Sequence, residues 1–237
     1  MMQHRFAFWY WAKWKAKGMR ECDYKIGTND ETRYCPPDLL TWDWHNDFGA
    51  DADVSEEVLR NLDIKDEKMT ALFAWSSLSS LNDGHILPAV KLNLIANVFL
   101  LLPEGSLAAT EKRSMYDLYG NKHSIYSVDS ADELFERRRG NWNGVGLFWD
   151  LDMDFFTGIP ESKEDVWAVK PSMDRIDGLL NPEEPWMDLI LREVIGITIA
   201  LEPRHTGGLT RSLEVYQRWE KNLFKGQLFS DKCFWKY

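Results

Sequence analysis

Cysteine is scarce in this sequence and does not pair: Cys22, Cys35 and Cys233 are odd in number, far apart and without C-x-x-C spacing. That excludes a disulfide framework and a zinc ribbon, and makes a reducing cytoplasm the expected compartment. Basic charge is also short, with 28 Lys and Arg against 38 Asp and Glu, a formal net charge of -10. Phosphate neutralisation needs clustered cations, so no nucleic-acid partner is expected. Long hydrophobic runs are missing too. The longest, from Leu94 to Leu102, stops at Pro103, well under the roughly 20 residues of a bilayer-crossing helix. The aromatic stretch HRFAFWYWAKWKAKG is interrupted by Lys13, Lys15 and Lys17 and precedes no small-residue cleavage site, so it does not read as a signal peptide. There is no internal repeat or low-complexity tract. With 44% hydrophobic residues over 237 positions, one globular domain spanning 1-237 is expected.

Apolar, strand-like runs occur at Leu39 to Trp44, Ala96 to Leu102, Ser124 to Val128, Gly144 to Asp152 and Val194 to Leu201. Helical spacing lies between them, at Phe8 to Lys17, Ser55 to Leu62, Lys68 to Leu78, Ala131 to Arg139, Trp186 to Glu193 and Leu209 to Phe224. Continuous apolar strands alternating with helices are the pattern of a sheet buried on both faces. The expected fold class is α/β, a three-layer α/β/α sandwich with a mainly parallel sheet. Ligands in such folds sit at the carboxyl ends of the strands.

Two of those ends are acidic. In WDWHNDFG, Asp43, His45 and Asp47 occupy alternate positions; in LFWDLDMDFF, Asp150, Asp152 and Asp154 do. If the strands continued extended, each trio would point to one side. Carboxylates gathered in a half-buried pocket repel, and either a proton or a cation must relieve them. Two divalent ions sharing carboxylates would do so. The residues alone leave other readings open: a metal-dependent amidohydrolase of deacetylase type, or a catalytically silent metal-binding module. Twelve tryptophans are many for this length. Most suit a core, while Trp9, Trp11, Trp14 and Trp44 are near enough in sequence to wall a channel.

The D-x-H-x-D of Asp43, His45 and Asp47, followed later by the D-x-D of Asp152 and Asp154, resembles the ureohydrolases, the arginase and agmatinase superfamily. An early His beside an aromatic helix, the D-x-D-x-D-F-F and the late ITIALEPRHTGG bring it nearer to peptide arginases, which convert arginine to ornithine in ribosomally made peptides. The resemblance implies an arginase/deacetylase-like fold and two Mn2+ per chain, held by His4, Asp43, His45, Asp47, Asp152 and Asp154. Asp150 then falls one alternate position earlier and supports the ligands. Glu202 would pair with the guanidinium, His85 or His205 would move protons, and Trp44 and His205 would touch substrate. The partner implied is an arginine-containing precursor peptide. The polar loop with which free-arginine enzymes grip the substrate carboxylate has no match in Phe48-Gly49-Ala50-Asp51-Ala52-Asp53.

Overall fold

The structure, a computed structural model, describes residues 1-16, 36-45, 54-78, 84-103, 112-139, 145-157 and 173-229. Asp47, the loop 48-53 and the three cysteines lie outside the described residues. Six strands form one sheet: β1 (Asp38–Trp42), β2 (Val98–Leu101), β3 (Lys112–Tyr116), β4 (Lys122–Val128), β5 (Leu147–Asp152) and β6 (Val194–Ala200). Their order is β3-β4-β2-β1-β5-β6. Every neighbouring pair is parallel except β3 with β4. The expected α/β class with a mostly parallel sheet flanked by helices is what forms.

Eight α-helices are described: α1 (Ala7–Ala16), α2 (Glu56–Asn61), α3 (Glu67–Ser76), α4 (Ile86–Lys91), α5 (Ala131–Arg139), α6 (Met173–Leu179), α7 (Pro185–Glu193) and α8 (Leu209–Phe224). Their starts follow local chemistry. Ser55 accepts from the N–H of Val58, and Asp66 from those of Lys68 and Met69, satisfying amides that the first helical turn leaves bare. Pro185 opens α7, where its missing N–H costs nothing. Three elements were not expected: β3, α4 and α6.

The two sheet faces carry separate cores. Leu39, Val98, Leu100, Ile125 and Phe148 pack with buried residues of α1, α3 and α4. On the other face Leu40, Trp42, Phe99, Trp149 and Leu151 pack with residues of α5, α6, α7 and α8. On the first face α1 lies close against β6, because Gly196 has no side chain: a Cβ there would stand 2.7 Å from the ring of Trp14. The edge strand β6 is also engaged by the chain's first residue. The Met1 ammonium donates to Ile199 O at 2.8 Å and Met1 O accepts from Leu201 N at 3.0 Å, which anchors the segment leading to His4.

Connectivity places the site. From β1 the chain moves outward to β2 and then β4, and afterwards returns to lay β5 and β6 on the opposite side of β1. The reversal falls between β1 and β5, where crossovers diverge and leave a crevice beyond the carboxyl ends of the strands. Asp43 follows β1 and Asp152 ends β5, so both acidic motifs reach that crevice.

Candidate metal centre

Neither acidic motif stays extended. β1 stops at Trp42, and the chain bends at Trp44 and His45. β5 stops at Asp152 and enters a 3-10 turn over Met153–Phe156. The expectation of alternate side chains along a continuing strand is therefore corrected, and the cause is the same at both ends. Asp43 Oδ1 accepts the N–H of His45 at 2.7 Å, and Asp152 Oδ1 accepts the N–H of Asp154 at 3.1 Å. An Asp carboxylate bonding the amide two residues on is a turn former in its own right. The first turn brings His45 back beside Asp43, and the second brings Asp154 back beside Asp152.

Two donor sets result. His4 Nδ1 lies 3.1 Å from Asp43 Oδ2 and 3.3 Å from Asp152 Oδ2. His45 Nδ1 lies 3.5 Å from both Asp43 Oδ1 and Asp154 Oδ2. Donors bound about 2.0 to 2.2 Å from one ion stand about 2.8 to 3.6 Å apart around an octahedron or tetrahedron. All four separations fall in that range. Asp43 belongs to both sets and turns a different oxygen to each, as a bridging carboxylate does. Asp154 Oδ1 is buried and accepts no hydrogen bond among the described residues.

A third group, His4, His85 and Asp150, is also compact. Its key distance argues for a hydrogen bond. His4 Nε2 stands 2.5 Å from Asp150 Oδ2, too close for two donors on one ion. Asp150 further accepts from Thr198 Oγ1 at 2.5 Å and Thr41 Oγ1 at 3.5 Å, with His85 Nε2 3.7 Å away. His85 is fully buried, its ring 4.3 Å from that of His4 and 5.5 Å from that of Trp11.

The electrostatics follow from burial and crowding. Burial, then the neighbouring Asp154, pushes Asp152 well above the carboxylate range. Burial and Asp43 push Asp154 up to about 7. Burial works against charge on Asp150 as well, but His4 and His85 outweigh it and hold that carboxyl at about 2. On His4, burial is overcome by Asp150, Asp152 and Asp43, which raise the imidazole well above its ordinary value. His85 is held low by burial and by charge on His4. Divalent ions would supply the positive charge that Asp152 and Asp154 otherwise obtain by protonation.

Glu202 lies two residues beyond β6, buried, with φ +37°, and accepts the backbone N–H of His4 at 2.7 Å. Its own carbonyl accepts from the N–H groups of His205 and Thr206, closing a compact turn that brings the His205 ring 5.7 Å from that of His45. His205 is half-buried, and burial with the adjacent His45 holds it below the ordinary imidazole range. His45 is half-exposed and Trp44 partly buried beside it, which makes this the open side of the cluster. Of the other tryptophans, Trp11 backs His85, while Trp9 turns away and donates to Glu67 O. His123 is apart from the site, bonded to Ala96 O and close to Asp117. Sequence reading overlooked Thr41 and Thr198. Their signal was pairing register, since both stand opposite Asp150 on neighbouring strands.

The molecule is thus an α/β protein with buried His/Asp clusters that could hold metal ions at a topological switch point, a construction that points to a metal-dependent enzyme. No family model matches the chain, and no curated protein matches it. Among the described residues no helix is long and apolar enough to cross a membrane.

Proposed function

We propose that the protein is a dinuclear manganese hydrolase acting on the guanidinium of arginine side chains in a peptide, releasing urea and leaving ornithine. One observation carries the dinuclear part: Asp43 presents Oδ2 to His4 and Oδ1 to His45, and belongs both to the group with His4 and Asp152 and to the group with His45 and Asp154. A mononuclear site of deacetylase type needs only one of these sets. Imidazole mixed with several carboxylates suits Mn2+. Two such ions would supply Lewis-acid activation of water. His4, Asp43 and Asp152 would hold one, and His45, Asp43 and Asp154 the other, with Asp47 assigned to the same centre from its motif.

The remaining work falls to the chain's own groups. Glu202, fixed at one oxygen by the His4 N–H, would orient the planar cation. His205 sits at the open side, its imidazole held below the ordinary range by burial and by His45, and would carry protons between solvent and the departing amine. His85, fully buried beside His4, is the other candidate for that role. Water adds at the guanidinium carbon, the bond to the side-chain nitrogen breaks, and that nitrogen takes up the proton. A peptide substrate is favoured by charge. A free amino acid would bring an α-carboxylate toward a strongly acidic cluster, whereas a peptide offers neutral amides.

Incubating Mn2+-loaded protein with free arginine, agmatine and a peptide holding an internal arginine tests the reading. The peptide is expected to lose about 42 Da with equimolar urea. Its kcat/KM should exceed that of free arginine by at least about 100-fold. Equal turnover of free arginine would overturn the peptide assignment, and absence of urea from all three would overturn the hydrolase.

A further inference from the structure

We propose that Thr198 is a positioning residue of the metal centre, acting through Asp150 to fix which nitrogen of His4 faces the ions and in what orientation. The inference rests on the dinuclear reading and adds a residue that touches no metal donor directly. Thr198 Oγ1 donates to Asp150 Oδ1 at 2.5 Å, and Asp150 Oδ2 takes His4 Nε2 at 2.5 Å. All three side chains are buried. An ionised carboxylate only accepts, so the hydrogen on this line belongs to His4 Nε2. Nδ1 is then the nitrogen left for an ion, and Nδ1 is the atom beside Asp43 and Asp152.

The carboxylate can hold the imidazole only while its own rotation is fixed. The other oxygen must be tied, and β6 ties it: Thr198 stands directly opposite Asp150 in the parallel pairing of β5 with β6. A β-branched side chain in a strand is stiff about its first torsion, so the hydroxyl is aimed by the backbone. Thr41 on β1 flanks Asp150 from the other side at 3.5 Å, a longer and weaker contact. Thr198 is therefore the principal tether. Partners of this kind orient metal-binding imidazoles, and losing one typically weakens metal affinity by about 10- to 100-fold.

Thr198→Val removes the hydroxyl while keeping shape and strand preference; Thr198→Ser keeps the hydroxyl. Each variant, confirmed as folded by circular dichroism, is compared with the unaltered protein in Mn2+ affinity by equilibrium dialysis. Loading with 113Cd2+ and 15N-histidine then reads which His4 nitrogen is coupled to metal. The unaltered protein should show coupling to Nδ1 of His4. Thr198→Val should bind Mn2+ about 10- to 100-fold more weakly, with that coupling lost or broadened, and Thr198→Ser should restore both. Equal affinity and unchanged coupling in Thr198→Val would overturn the relay while leaving the dinuclear reading intact. Failure of the unaltered protein to take up either metal would overturn the dinuclear reading itself.

Discussion

The two faces of β5 make an instructive pair. Its six residues are all buried, yet Leu147, Trp149 and Leu151 face one core while Phe148, Asp150 and Asp152 face the other side. On the first face burial is its own reward: Trp149 lies edge-on to Trp42 and near Trp219, removing large aromatic surfaces from water. On the second face burial is a cost, met by turns, hydroxyls and imidazoles. Equal burial thus carries opposite energetic signs on two sides of one strand. The aromatic face holds the fold together; the acidic face gathers side chains that could hold metal ions.

The sharpest way to break this division is to remove its shared carboxylate. Asp43→Ala should lose both ions by elemental analysis and at least about 1000-fold in urea release, while circular dichroism shows a folded protein. On the aromatic face Trp149→Ala should instead lower stability by about 3 to 5 kcal/mol in denaturant unfolding, with stoichiometric metal in whatever fraction remains folded. Metal loss without destabilisation in Trp149→Ala would erase the contrast.

Acidity probes the same division more gently. Asp154 keeps its proton to about pH 7 when folded and releases it near 4 when unfolded, so metal-stripped protein binds more protons folded and loses stability as pH rises through that window. Asp152, also raised, adds to the loss. His4 adds again, its contribution full below the ordinary imidazole value and lost above it. Asp150 has the opposite sign: its stabilisation is lost as pH falls from about 4 toward the folded value of about 2. His85 and His205, both held low, oppose this below about pH 6.5, so the melting temperature of chelated protein should fall most clearly between about pH 6.5 and 8, and Mn2+ should reverse the trend because it replaces the protons of Asp152 and Asp154. A melting temperature rising over that range without metal would contradict the charge assignment. The smallest effect belongs to the exposed edge. Tyr116→Thr on β3 should change stability by less than about 0.5 kcal/mol, since that side chain is 60% exposed.

The elements legible in the sequence were those with a buried face. β1, β2, β4, β5 and β6 carry short, largely buried runs, and α8 and α7 a clear helical stripe. β3 reads KRSMY and is mostly exposed, so it has no alternation to detect and forms only because β4 offers an antiparallel partner. α4 is six residues long with Pro88 inside its first turn, below the length at which periodicity speaks. At the site the residue types were visible and the local geometry was not. Alternation at Asp43 and Asp152 suggested extended chain, whereas each carboxylate captures an amide two residues on and ends its strand. Thr198, a lone hydroxyl in VIGITIA, acquires meaning only from the register against β5.

Gly196 shows how far from the chemistry the site can be spoiled. Its bare backbone is what lets the Trp14 ring settle onto β6, and α1, which carries that ring, begins three residues after His4. Any side chain at 196 must displace the Trp14 ring, which is already packed on Phe148. In a saturation-mutagenesis survey scored by metal retention, position 196 should tolerate almost nothing, although it contacts no ligand. A designer transplanting this centre to another scaffold would need to copy that smooth patch of strand along with the acids.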